Sequence, residues 1–229
     1  MYKIINKYKI NAFESKEEFL NKLVNEKRIL VAMNAEKIVN NNPLLIDIVN
    51  RNIGYPDGFG AVLALRQKGI KSIKIAGSEF WLDIVKRFNQ TKSFYLVGST
   101  NEVIIGTVKR LKKEYPNINI VGFQNGFLQE GDKEKLIKDL QQKRPNIVFV
   151  AQGTPKQELL MNELINEYPA LYMGLGGSFD IYGGEKKRAP IFFLKLQLEW
   201  FYRLLQEPTR ISRQFALMKF LLILGVFKR

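Results

Sequence analysis

The chain has 229 residues, 46% hydrophobic and 25% charged, enough for one sizeable core and too few for two average domains. It contains no cysteine and no histidine, which excludes disulfides, thiolate metal sites, Fe–S clusters, cysteine nucleophiles and the commonest general base. Chemistry must therefore run on carboxylates, Lys, Arg, Tyr, Ser/Thr or backbone amides, and a net charge of +14 points to a polyanionic partner: nucleic acid, a phosphorylated substrate or anionic lipid.

Met1 to Lys9 mixes Lys and Asn with isolated apolar residues and has no h-region or cleavage site, so a cytoplasmic protein is expected. Short β-rich runs then alternate with longer stretches whose apolar residues recur at helical spacing, as in Leu136, Ile137 and Leu140. A helix over Glu14–Glu26 leads to a strand at Ile29–Ala32. Helices over Pro43–Asn52 and Gly60–Lys68 precede a strand at Ile73–Ala76, and a helix over Glu79–Phe88 precedes one at Ser93–Val97. Helix Asn101–Glu114, strand Asn119–Gly122, helix Lys133–Lys143, strand Asn146–Ala151, helix Lys156–Glu167 and strand Leu171–Gly174 complete the series. Pro116, Pro145 and Pro169 each stand where a helix must stop and a strand begin. The pattern is that of a Rossmann-like α/β domain over residues 1–190, a parallel sheet flanked by helices.

Residues 191–229 read differently. From Lys186 onward, ten Lys/Arg face two Glu, so this segment carries +8 of the +14. Its cations are interleaved with Ile191-Phe192-Phe193-Leu194, Trp200-Phe201-Tyr202 and Phe220 to Leu224, the composition of a helix lying in a membrane surface. The apolar run Phe215–Phe227 covers 13 residues and includes Lys219, whereas a bilayer span takes about 20. A helical, membrane-associating appendage is expected, with a core-packed terminal helix or an oligomer interface as the plainer alternative.

In open α/β sheets ligands bind beyond the carboxyl ends of the strands. Gly98-Ser99-Thr100-Asn101 could present amides to a phosphate or simply cap the next helix. In Gly54-Tyr55-Pro56-Asp57-Gly58-Phe59-Gly60, Asp57 could be a general base or an N-cap. Within Gln152-Gly153-Thr154-Pro155-Lys156-Gln157-Glu158, Thr154 suits an N-cap and Pro155 the first helical position, while Lys156 is an unfavourable charge at a helix N-terminus unless an anion is near. Asn34, Gln124, Gly126, Gly176, Gly177 and Asp180 complete a polar rim. No Asp-x-Asp pair or carboxylate cluster points to a metal, and no cofactor is expected.

These segments carry a resemblance. Val31-Ala32-Met33-Asn34-Ala35-Glu36-Lys37, Tyr55-Pro56-Asp57-Gly58, Ile75-Ala76-Gly77, Leu96-Val97-Gly98, the Ala151–Glu158 segment, Gly176–Asp180, Lys187-Arg188-Ala189-Pro190 and Leu198–Arg210 together resemble the WecG/TagA/CpsF glycosyltransferases from about Ile29 to the C-terminus. The resemblance implies a metal-independent, inverting transfer of an N-acetylmannosamine-type sugar from a UDP donor to a polyprenyl-diphosphate-linked amino sugar, on the cytoplasmic membrane face. It makes Asp57 the candidate base, with Asn34 in the same pocket and Arg210 the preferred catalytic contribution of the tail. Lys74, Gly98, Ser99, Gln124, Gly126, Gln152, Gly153, Pro155, Lys156, Gln157, Glu158, Gly176, Gly177, Asp180, Arg188, Arg203 and Arg213 become substrate-binding candidates. Two departures matter: Ala32 and Lys74 stand where teichoic-type members carry Thr and Arg. The Ala32–Lys37 stretch looks closer to the enterobacterial-antigen branch, whose donor sugar is N-acetylmannosaminuronic acid.

Other readings remain: a teichoic-type UDP-N-acetylmannosamine transferase, a transferase of another UDP-amino sugar, or a non-catalytic nucleotide- or RNA-binding module. Against the last, the positive charge gathers in one apolar tail instead of lining a groove, so no nucleic-acid partner is expected. Homo-oligomerisation is left open.

Overall fold

The computed structural model describes residues 1–185, 190, 192–193, 202 and 212–224, with the side chains of the last segment described from Phe215 onward. Strands β1 (Tyr2–Ile5), β2 (Tyr8–Asn11), β3 (Ile29–Met33), β4 (Ile53–Pro56), β5 (Ser93–Gly98), β6 (Asn119–Gln124), β7 (Ile147–Ala151) and β8 (Leu171–Gly174) form one sheet in the order β1-β2-β4-β3-β8-β7-β5-β6. From β2 to β6 every pairing is parallel, so the carboxyl ends of these strands open on one edge.

The sheet is not wholly parallel as expected. β1 and β2 form an antiparallel hairpin closed by Asn6 and Lys7, both at positive φ, the turn geometry that matches strand twist. A second correction concerns Ile73–Ala76, which forms no strand: Ile73 N–H bonds to Phe13 O and Ile75 N–H to Pro56 O, one bond to each of two segments and no ladder to either. The sheet instead contains β4, inside the stretch read as a loop. β4 is buried throughout, and it needs Gly54 because a Cβ there would lie 2.6 Å from the carbonyl oxygen of Lys9 on β2.

Helices α1 (Lys16–Lys22), α2 (Ala35–Ile38), α3 (Pro43–Arg51), α4 (Phe59–Gln67), α5 (Gly77–Phe88), α6 (Asn101–Glu114), α7 (Asp132–Lys143), α8 (Lys156–Glu167), α9 (Ser178–Tyr182) and α10 (Ser212–Ile223) flank the sheet. Strand alternation feeds two apolar layers. Val31, Met33, Val148 and Val150 pack with Leu45 and Ile48 of α3, Leu65 of α4, Leu140 of α7 and Met161 of α8. Leu30, Leu96 and Phe149 pack with Phe19 of α1, Phe80 and Trp81 of α5, Ile104 of α6 and Phe179 of α9.

α10 joins the first of these layers. Its Phe220 is fully buried, with Ala216 and Leu224 beside it at four-residue spacing, so this helix packs on the α/β core; Trp200, Phe201, Leu204 and Leu205, for which core packing was the plainer alternative, lie outside the described residues. The ring sits so close to α4 that a Cβ on Gly60 would come within 2.9 Å of it.

Candidate active site

Two groups of residues meet at the carboxyl edge of the sheet, each on the loops of neighbouring strands. The first lies beyond β3 and β4. Asp57 N–H donates to Met33 O at 2.9 Å, which extends the β3–β4 pairing by one step and sets Asp57 beside Asn34. Asp57 is not the N-cap of α4, which has Gly58 at that position and no side-chain cap bond. Its Oδ1 instead accepts a hydrogen bond from Gly77 N–H, 3.3 Å away, at the first residue of α5. The positive end of that helix thus faces the carboxylate. Gly77 has to be glycine, since a Cβ would lie 2.7 Å from the Tyr55 hydroxyl. That hydroxyl is buried with no hydrogen-bond partner among the described residues. Burial pushes its pKa well up, and the charges of Asp57 and Glu158 push it further.

Asn34 caps α2, its Oδ1 accepting from Lys37 N–H at 3.0 Å. Lys74 is exposed on the segment that bonds to Pro56, on the Asp57 side of the edge.

The second group surrounds a cleft of about 500 Å³ beyond β5, β7 and β8, lined by Ser99, Gly126, Gln152, Gly153, Lys156, Gly176, Gly177 and Asp180 of the sequence candidates. Thr100, Phe127, Ala151 and Glu185 also line it; an exposed aromatic in the Asn125–Leu128 loop was the one available sign of Phe127, and nothing in the sequence marked Glu185. The backbone here turns sharply: Gly98, Ser99, Gly153 and Gly176 all have positive φ. The cap of α6 is Thr100, which accepts from Val103 N–H, leaving Ser99 to donate to Asp180 Oδ1 at 2.6 Å. Gly126 is held from both sides, its N–H by Ser99 O at 2.8 Å and its carbonyl by Gln152 Nε2 at 2.7 Å.

Two expectations for the loop after β7 change. Pro155, after a cis peptide bond, occupies the cap position of α8, and Thr154 is not an N-cap but donates to Glu158 Oε1. Gln157 and Glu158 are buried and support the cleft from beneath: Gln157 Oε1 accepts from Gly176 N–H at 2.8 Å. Burial raises the Glu158 carboxyl, but the Lys37 ammonium and the hydrogen bonds from Lys37 and Gln157 outweigh it, and the net shift is downward. Gln124 ends β6, paired with Val97, and is not among the cleft's lining residues. Arg188, Arg203 and Arg210 lie outside the described residues, as does the side chain of Arg213, whose backbone belongs to α10.

A carboxylate at one loop and a cleft lined by Lys156 at its neighbour suit acyl- or glycosyl-type displacement, which needs a base and a cation for the departing anion. Among the described residues no group of three His, Cys, Asp or Glu side chains could hold a metal ion. The model of one family, the Glycosyl transferase WecG/TagA/CpsF family, matches residues 4–229. The chain belongs to this family and is a glycosyltransferase.

Proposed function

We propose that this glycosyltransferase moves an N-acetylmannosamine-type sugar, N-acetylmannosaminuronic acid in preference, from UDP to a polyprenyl-diphosphate-linked N-acetylglucosamine in surface polysaccharide synthesis. The observation that carries the reading is Asp57 itself, a carboxylate oriented by the α5 amide, on the same strand edge as a cleft lined by Lys156. In the proposed step the acceptor hydroxyl oxygen attacks the anomeric carbon and its proton passes to Asp57. The bond from that carbon to the β-phosphate oxygen breaks, its electron pair leaves with UDP, and one displacement inverts the configuration.

Departing diphosphate needs positive charge where it develops. Lys156 at the start of α8 lines the space for it, which accounts for a cation at a helix end that otherwise repels it. Phe127, exposed at the rim, offers a ring for the base to stack on. The uronic acid is preferred because the Ala32–Lys37 stretch resembles the branch that uses it, and its extra carboxylate would meet Lys156 or Lys74. Tail arginines, Arg210 first, are proposed to reach the diphosphate as well.

UDP release from UDP-N-acetylmannosaminuronic acid and from UDP-N-acetylmannosamine, each with the lipid-linked acceptor, tests this. Acceptor-dependent turnover of the uronic acid alone is expected, unchanged by chelator. Turnover of the neutral sugar alone would move the protein to the teichoic-like branch, and activity that returns only with added Mg²⁺ would refute the metal-free step.

The acceptor's lipid places the reaction at a membrane, and we place α10 on that surface. Opposite its buried stripe, α10 exposes Phe215, Met218 and Leu222, and Phe59, two residues from Asp57, is exposed as well. None of the described helices is long and apolar enough to cross a membrane. Replacing Phe215, Met218 and Leu222 by Ser should weaken binding to anionic vesicles at least about tenfold, since burying one large apolar side chain contributes about 1.5–3 kcal/mol. UDP affinity should not change. Unaltered vesicle binding would remove α10 from the contact.

A further inference from the structure

We propose that the buried ion pair between Lys37 and Glu158 is a positioning element that sets Asn34 and Asp57 against the donor loop Gln152–Pro155; the proposal rests on the transfer reaction assigned above. Lys37 Nζ lies 2.7 Å from Glu158 Oε1, with the two side chains only 7% and 1% exposed. The partners are 121 residues apart in sequence, and each stands at the third position of a helix that starts at the site.

On the acceptor side, α2 has only four residues, and one helical turn does not hold its own conformation in isolation. Its orientation must come from what grips it. Phe220 packs beside Ala35 at one side, and Lys37 reaches Glu158 at the other. Since Lys37 N–H is also what Asn34 Oδ1 caps, moving Lys37 moves Asn34, and with it the end of β3 to which Asp57 is bonded.

On the donor side, Glu158 Oε1 also accepts from Thr154 Oγ1 at 3.2 Å and Gln157 Nε2 at 3.0 Å. Gln157 in turn holds Gly176 N–H. One carboxylate oxygen therefore fastens the acceptor helix, the loop after β7 and the loop after β8.

Stability alone does not explain this construction. Desolvating two charges costs about as much as their attraction returns, and well-packed apolar replacements are often as stable or more so. Here the other carboxylate oxygen, Oε2, is buried with no partner among the described residues, which adds to the cost. The pair's yield is geometry: it fixes distance and direction across the two halves of the site.

The test is the double variant Lys37→Met with Glu158→Met, which removes both charges together and leaves neither unpaired. It should stay folded, its thermal midpoint lowered only by the hydrogen bonds that Thr154 and Gln157 lose with the carboxylate. Its kcat should fall about hundredfold, the scale of an ångström-level misplacement of reacting groups, a larger change than in KM for the donor. Amide hydrogen exchange across Asn34–Val39, which needs no substrate, should quicken at least about tenfold. Parent-like kcat and parent-like exchange in the folded variant would overturn the proposal. If the double variant does not fold, Glu158→Gln, which keeps an oxygen for Lys37 to bond, decides by the same two readouts, with about a tenfold fall in kcat expected. Absence of turnover in the parent enzyme would instead refute the transfer reading, and the exchange measurement would still judge whether the pair fixes α2.

Discussion

Asp57→Asn should lower sugar transfer by about 10²–10⁴-fold, the range supplied by a positioned general base, and leave UDP affinity within about twofold. The substitution is close to isosteric: an amide oxygen can still accept from Gly77 N–H, as Oδ1 does at 3.3 Å, and the backbone bond from Asp57 to Met33 is untouched. What disappears is the ability to take the acceptor's proton. UDP affinity is the control because Asp57 is not among the residues lining the donor cleft. Calorimetric UDP binding beside a turnover assay separates the outcomes. If both activity and binding vanish with the thermal midpoint, Asp57 holds the fold together and the base lies elsewhere.

Gly98→Ala should be the most damaging single-methyl change at the site, costing at least about 3 kcal/mol of stability and abolishing UDP binding. Two independent obstacles coincide there. The residue has φ +135°, and its Cβ would stand 2.3 Å from the carbonyl oxygen of Ala151, with which it pairs across β5 and β7. Because the obstructing atom is backbone, relief requires the strand ends to separate, and Ser99, whose N–H bonds to that same carbonyl, is carried away with them. Gly153→Ala is the comparison: φ is +73°, but nothing stands within 4 Å of its Cβ. Its expected cost is about 1–2 kcal/mol of backbone strain, with UDP binding weakened and not lost. Urea unfolding and UDP titration of both variants test the ranking, and a Gly98→Ala protein within 1 kcal/mol of the parent by urea unfolding would contradict the contact argument.

The interior was legible where pattern and period were long. Helix α6 runs Asn101–Glu114, α8 runs Lys156–Glu167 and β8 runs Leu171–Gly174, each with the bounds expected from apolar spacing and proline punctuation. Such segments bury one continuous face, so local sequence and tertiary packing ask for the same residues. β4 was not legible, because Gly54 and Pro56 signal a turn locally. Only the approach of β2 makes the glycine necessary, and only the end of the ladder makes the proline acceptable. The N-terminal hairpin was missed for a related reason: four-residue strands around Asn6-Lys7 carry too little periodicity to outweigh their polar residues.

The site divides along the same line. Residue types and loop placement were enough to single out Asp57, Asn34 and the glycine-rich turns, since a carboxylate in a glycine-flanked loop and small residues after strands have chemical meaning before any fold is known. The roles of Glu158, Gln157 and Lys37 were decided only by tertiary structure. A Glu in the first turn of a helix is explained locally by capping and the helix dipole, and nothing within reach in the sequence announces a lysine 121 residues away. Sequence determines what a residue can do over the few neighbours its own backbone supplies. Whether a charge is solvated or buried, and against which partner, is set by the tertiary fold that brings Lys37 of α2 to Glu158 of α8, where removing water makes one specific contact strong enough to matter.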